Sequence, residues 1–192
     1  MESNLAYEYQ EEEIIGGKVV MMASPTVKHM FIAGNIYNLF SNYLRGKRCT
    51  PFPDGVTLYL ESGEEYKPDM MVVCDPDKMK ETDGVHGAPD LVVEVLSPST
   101  GRYDRGRKMR MYEKNGVREY WLVSPEARTV EQYVLEDGRF VVRDVYTHYT
   151  ENELRHMKEA DRAEVVTEFQ CTLFDDLTIK LEDIFYRVMP DA

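Results

Sequence analysis

The stretch that most constrains this chain is 89–120, PDLVVEVLSPSTGRYDRGRKMRMYEKNGVREY, because it sets one carboxylate, Glu94, inside the apolar run Leu91, Val92, Val93, Val95 and Leu96. A near-continuous apolar run of this length reads as a central strand covered on both faces. An ionised acid among aliphatic neighbours is retained only when it is paired or coordinates a metal. Glu94 therefore requires a partner, and the helix predicted to follow, about 103–115, is rich in cations. Between Arg102 and Arg118 stand seven basic residues against two acids, Asp104 and Glu113. Gly116 closes that helix, and 117–123 (VREYWLV) reads as a second buried strand, so strand, helix and strand suggest a crossover between parallel strands.

The flanking sequence supplies the rest of a mixed α/β architecture. Residues 14–23 read as a hairpin about Gly16-Gly17. Ser24-Pro25 reads as a helix start, and 26–45 as an amphipathic helix covering one face of a sheet. Short strands are expected at 48–51 and 55–60, and a further one at 66–73 that Pro68-Asp69 opens, placing Asp69 at its entry. Residues 75–88 are charged, contain Gly84 and Gly87, and are expected as a loop. A hairpin turns at Asp137-Gly138, 151–163 reads as a polar surface helix or flap, and the tail from Cys171 is apolar enough to pack back on the domain. The length of 192 residues fits one domain spanning 1–192, with a core of about 14–146 and an extension, 147–192, packed on it.

Charge narrows the function. A net charge of -12 argues against a general polyanion binder, since affinity for nucleic acid rests on cations that neutralise phosphates. The basic island at 102–118 points either to a localised anion site or to a solvated helix face paired with acids elsewhere. No apolar run approaches the ~18 residues of a membrane span, and the acidic start MESNLAYEYQEEE is unlike a signal peptide, so a cytoplasmic protein without a membrane partner is expected. Cys49, Cys74 and Cys171 are odd in number and form no CxxC pattern, which predicts reduced, core or near-core thiols rather than disulfides or zinc. His29, His86, His148 and His156 show no spacing suited to a metal or a triad, and are expected as surface or satisfied residues.

Within the basic helix Asp104, Lys108 and Tyr112 are spaced i, i+4 and i+8 and share one face, whereas Arg107, Arg110 and Lys114 fall elsewhere and face phosphates or solvent. Alone, that spacing describes a surface Asp-Lys pair of a few tenths of a kcal/mol. Together with Asp69 and Glu94 it meets the needs of metal-assisted phosphodiester cleavage: hard oxygen ligands for Mg²⁺, and an ammonium to position water and offset developing charge.

With these residues the chain resembles the restriction-endonuclease-domain family of the PD-(D/E)xK nuclease superfamily. The resemblance runs through IIGGKVVMMA-SPT, KPDMMVV, PDLVVEVLSPST, the D-x3-K-x3-Y helix, GVREYWLVSP and the terminal L-x-DIF, and 89–125 is its specific part. It implies a restriction-endonuclease-like core, a central mixed sheet flanked by helices with an N-terminal hairpin and extra C-terminal strands. It implies a Mg²⁺- or Mn²⁺-dependent endonuclease with nucleic acid, DNA above all, as substrate, Asp69 and Glu94 as metal ligands and the Val95 carbonyl completing the shell. The superfamily pattern sets a Lys two positions after the acid, where this chain has Leu96, so its role maps onto Lys108. Asp104 would orient Lys108, while Ser97 and Tyr112 would support the site or serve structure alone. Tyr120 and Trp121 are expected in the core. Arg102, Arg105, Arg107, Arg110 and Lys114 would meet the nucleic acid. Asp90 repeats the Pro-Asp pair, but at about 13 Å from Glu94 along an extended strand it is the weaker ligand. Nucleases of this kind commonly act as dimers, which makes a homodimer an expectation. The rival reading is a catalytically inactive relative of the same fold that binds nucleic acid or protein; RNA or a small phosphoester is a further substrate possibility.

Overall fold

The structure is a computed structural model and describes residues 12–22, 24–61, 63–81, 83–97 and 101–188. In chain order, β1 (Glu12–Ile15) and β2 (Lys18–Met21) form a hairpin, followed by α1 (Val27–Leu44), β3 (Thr50–Pro53), β4 (Leu58–Tyr59), β5 (Glu65–Tyr66) and β6 (Met70–Val73). A 3-10 turn at Pro76–Lys78 leads into β7 (Met79–Lys80), β8 (Gly84–His86) and β9 (Leu91–Val95). One continuous helix then passes through α2 (Gly101–Tyr103), a π turn (Asp104–Lys108) and α3 (Met109–Asn115), and ends at Gly116, whose φ of 86° suits a left-handed cap. The chain finishes with β10 (Glu119–Ser124), β11 (Thr129–Glu136), β12 (Arg139–Thr147), α4 (Glu151–His156), α5 (Glu159–Ala163), β13 (Glu168–Gln170), β14 (Thr178–Lys180) and α6 (Leu181–Ile184).

A central six-stranded mixed sheet has the order β12-β11-β10-β9-β6-β3, with β9 and β10 parallel and the other neighbours antiparallel. The parallel pair is the expected crossover, bridged by the basic helix. Because side chains alternate along β9, its two faces build two cores. Leu91, Val93 and Val95 pack with Ile32, Ile36 and Phe40 of α1 and with the tail residues Ile179, Leu181 and Ile184. Val92 packs on the other face with Tyr112, Tyr120 and Leu122, and with Leu58, Tyr66 and Val85 of a second sheet ordered β2-β1-β5-β4-β8-β7. Helices therefore flank the central sheet on both faces, as the family resemblance implied.

Several local expectations are corrected. The cap of α1 is Thr26, not Ser24: its hydroxyl accepts from the His29 N–H at 3.2 Å, so Pro25 precedes the helix and His29 falls in the first turn. Segment 75–88 is not a plain loop, since β7 and β8 join the second sheet there; strands of two and three residues with Val85 alone buried leave little periodicity to detect. Residues 151–163 form two short helices with no buried residue. Cys49 and Cys74, expected as reduced thiols, form a disulfide, because the β3–β6 ladder pairs Thr50 with Val73 and sets the two cysteines opposite each other at its end. Cys171 is a buried free thiol, its pKa pushed up by burial and by the nearby Glu119. Segment 98–100, between β9 and the helix, lies outside the described residues. Among the described residues no helix is long and apolar enough to cross a membrane.

One fully buried carboxylate ties the tail to the central sheet. Glu119 of β10 accepts from Trp121 Nε1 at 2.7 Å, Gln132 Nε2 at 2.6 Å and the Thr172 N–H at 2.9 Å, and also takes the Thr172 hydroxyl. Removing it leaves buried donors unmet, at about 1–3 kcal/mol each. Glu119→Ala is therefore expected to lower unfolding stability by at least about 3 kcal/mol in urea titrations, with the 168–188 segment losing amide-exchange protection first.

Candidate active site

The site forms where the β6–β9 ladder runs out. Met70 pairs with Val93, so one position further on Asp69 stands opposite Glu94 across the two antiparallel strands. Two donors fix the Asp69 carboxylate: the Val95 N–H reaches Oδ2 at 2.6 Å and His29 Nε2 lies 2.8 Å from Oδ1. Burial alone would lower the His29 pKa, but its hydrogen bond to Asp69 and the charge there outweigh burial and raise it.

Lys108 enters from the π turn. Its Nζ lies 2.8 Å from Glu13 Oε1, 3.3 Å from Glu94 Oε1 and 3.6 Å from Asp104 Oδ1. All four residues are withdrawn from water, Glu13, Asp104 and Lys108 at 1% exposure and Glu94 at 3%. The i→i+5 bonding of a π turn widens the helix locally, and such turns are frequent at functional sites. Here the turn points both Asp104 and Lys108 inward. Tyr112, one α-turn further on, donates its hydroxyl to Glu94 Oε1 at 2.7 Å, while Tyr120 donates to the Asp104 carbonyl at 3.1 Å. The Tyr66 ring, edge-on to Tyr112, lies 5.6 Å from the Lys108 ammonium.

Three carboxylates surround one ammonium, and the titration behaviour follows. Burial first, then the charges of Asp104, Asp69 and Glu13, push the Glu94 pKa well above the carboxylate range against the pull of Lys108. Burial would strip Lys108 of its proton, but Glu94, Glu13 and Asp104 outweigh it and hold the side chain cationic. Tyr112 keeps its proton because burial, and then Glu94, raise its pKa well above normal, so it remains a donor.

A second acid braces the same turn. Glu64 accepts from the Gly16 N–H at 2.9 Å and from Arg107 Nε at 2.8 Å, and takes the Tyr66 hydroxyl. Burial would raise its pKa, but Tyr66, Arg107 and Gly16 together bring it below the usual value. Gly16 is constrained here: its φ is +67° and a Cβ would sit 2.8 Å from the Arg107 guanidinium carbon.

Of the residues singled out in the sequence, Asp69, Glu94, Lys108, Asp104 and Tyr112 come together, and the Val95 main chain touches Asp69. Ser97 gives its carbonyl to the Gly101 N–H at 3.0 Å. Asp90 lies at the far end of β9, where it accepts from the Cys74 N–H and pairs with Arg118. Arg102, Arg110 and Lys114 are exposed. Arg105 and Arg107 are exposed as well, and they pair with Glu131 and Glu64. Glu13, Glu64 and His29 were missed. For Glu13 a signal existed: period-2 alternation sets it on the same face of β1 as Ile15, and both are buried. No sequence signal marked His29, because its partner lies 40 residues away.

The match to known families follows this geometry. The family model Uma2, described as "Putative restriction endonuclease", matches residues 2–172. This chain belongs to the Uma2 family. The Synechocystis sp. protein slr1290 is 35% identical over 130 residues, 67% of this chain and 68% of its own length. Another Synechocystis sp. protein, sll1609, is 26% identical over 155 residues, covering 78% of this chain and 86% of the relative. In fold, the chain is similar to an Anabaena variabilis crystal structure described as "a putative nuclease belonging to DUF820", with a TM-score of 0.70 and 18% identity over 93% of this chain and 91% of that one. The fold is thus restriction-endonuclease-like. In this Uma2 chain Leu96 stands where the wider superfamily has its Lys and packs, partly buried, in the second core, while the ammonium beside Glu94 comes from the helix.

The raised Glu94 pKa predicts a pH dependence. A carboxyl whose folded pKa lies above its unfolded value of 4.5 binds more protons folded than unfolded, so its contribution to stability is full below 4.5 and is lost as pH rises through the folded pKa. His29, raised above 6.5, acts in the same direction at higher pH. Without divalent ions, stability from denaturant titrations is expected to fall as pH is raised above about 4.5, and Glu94→Gln to remove the Glu94 part of that slope.

Proposed function

We propose that this Uma2 protein is a Mg²⁺- or Mn²⁺-dependent endonuclease that hydrolyses phosphodiester bonds in DNA, carried by one domain spanning 1–192 and acting as a homodimer. The observation that carries the reading is the approach of Lys108, from the helix, to Glu94, which faces Asp69 across the ladder. An acid, an acid and a lysine drawn from three elements make the set that hydrolytic phosphoryl transfer requires.

The donor set fits a hard divalent cation. Among the described residues no three His, Cys, Asp or Glu side chains converge to hold an ion unaided. Mg²⁺, however, is usually held by one or two carboxylates and keeps several waters. Asp69 and Glu94, with the Val95 carbonyl, would hold it. Each Asp69 oxygen accepts one bond and has a second lone pair to offer. Ionised, Glu13, Glu94 and Asp104 exceed the charge of Lys108 by two, the charge of one such cation. When bound, the ion polarises the phosphoryl oxygen and lowers the pKa of a coordinated water. His29 and the Val95 N–H hold Asp69 in orientation, and Tyr112 does the same for Glu94. Lys108 positions the attacking water and offsets charge developing on the phosphate, with Asp104 aligning it along the helix. Arg102, Arg110 and Lys114, exposed on that helix, contact flanking phosphates; Arg105 and Arg107 join them by exchanging their carboxylate partners for phosphate.

One observation favours a second reading, an inactive nuclease-fold binding module: Glu94 and Lys108 are almost wholly withdrawn from solvent and already paired. Plasmid cleavage separates the two. With Mg²⁺ or Mn²⁺ the wild type is expected to cut, and Asp69→Ala, Glu94→Ala and Lys108→Ala each to lose about a hundredfold or more. Equal activity in all four proteins overturns the residue assignment. No cleavage, together with no metal binding by calorimetry at millimolar ion, selects the second reading.

A further inference from the structure

We infer that the N-terminal hairpin is a working part of the site, and that Glu13 is a positioning residue whose carboxylate sets the place of the Lys108 ammonium. The inference rests on the nuclease reading above and extends the site to an element outside its β6–β9–helix frame. Of the three acids about Lys108, Glu13 alone makes a contact of charge-assisted hydrogen-bond length, 2.8 Å against 3.3 Å for Glu94 and 3.6 Å for Asp104. Lys108 therefore hangs between a short bond to the hairpin and two longer attractions to the sheet and to its own helix. Remove the short bond, and a four-carbon side chain keeps its charge partners but loses the contact that fixes its direction.

The rest of Glu13 is arranged around that bond. Its Oε1 takes both Lys108 Nζ and the Lys67 N–H at 2.8 Å, whereas Oε2 is buried and has no hydrogen-bond partner among the described residues. A carboxylate kept only to hold the fold would be expected to satisfy both oxygens, because an unmet buried acceptor costs stability. The hairpin joins its sheet through the β1–β5 register pair Ile14 with Glu65, and it buries Ile15 in the second core. A further tie is the Gly16 N–H to Glu64, the acid that also takes Arg107. Two consecutive residues of the π turn, Arg107 and Lys108, are thus each held by an acid, one bound to the hairpin and one on it.

Glu13→Gln tests this, because the amide keeps the shape and an acceptor for the Lys67 N–H while removing the charge. With Mg²⁺ and a DNA substrate, kcat is expected to fall ten- to a hundredfold, the scale of misplacing a reacting group by about 1 Å, with KM within about twofold and a folded circular-dichroism spectrum. A readout independent of activity accompanies it: acetylation by N-hydroxysuccinimide acetate, mapped by mass spectrometry, is expected to rise severalfold at Lys108 relative to the exposed Lys114. Glu12→Gln, at the exposed neighbouring position, is expected to change neither. Wild-type kcat in Glu13→Gln overturns the inference even if labelling rises, and so does a change in KM alone. If Asp69→Ala and Lys108→Ala abolish cleavage while Glu13→Gln does not, the nuclease reading survives and this inference fails. If the wild type does not cleave, that reading fails, and unchanged Lys108 labelling then overturns the placement of the ammonium by Glu13.

Discussion

The structure depends on one buried ammonium. Lys108 is held by carboxylates from the hairpin, the central sheet and its own helix, so a single side chain fixes the relative positions of three elements. Taking these charges out of water costs several kcal/mol per ion, and the mutual attraction offsets it only where hydrogen bonds satisfy what remains. The Tyr112 hydroxyl on Glu94 and the Lys67 N–H on Glu13 supply part of that satisfaction. Burial first, and then the excess of negative charge that remains, raise the pKa of Glu94. Such a cluster is a poor way to gain stability and a good way to hold a cation, which is the physical basis for reading it as a site.

A second buried acid on the same sheet shows the contrast. Glu119 and Glu94 lie on adjacent parallel strands, yet they face opposite cores. Around Glu119 the donors are neutral, Trp121, Gln132 and Thr172, and each carboxylate oxygen is occupied. Its neighbours are those of a structural acid, fastening the C-terminal segment beneath the sheet. Around Glu94 stand other acids, a lysine and a tyrosine. Two buried glutamates on adjacent strands therefore stand in different chemistry, one among neutral donors and one among charges.

The acidic character of the molecule fits this arrangement. With a net charge of -12, long-range attraction for a polyanion cannot come from the whole surface. The helix that also carries Lys108 exposes Arg102, Arg110 and Lys114, while Arg105 and Arg107, exposed too, pair with Glu131 and Glu64.

The sequence by itself determined the central strand, the helix after it, the parallel return strand and the hairpins at Gly16-Gly17 and Asp137-Gly138, because apolar runs and turn residues are local signals. It also exposed Glu94 as an acid in need of a partner, and the i, i+4 spacing that brings Asp104 and Lys108 to one face. Tertiary structure alone decided the remainder. The opposition of Asp69 to Glu94 is a matter of strand register, the disulfide between Cys49 and Cys74 follows from a ladder joining strands far apart in sequence, and β7 and β8 are too short to carry a period. Glu13 and His29 reach the site across separations of 95 and 40 residues, to Lys108 and Asp69. Periodicity says which face a side chain occupies; only the folded chain says which distant charge lies opposite it.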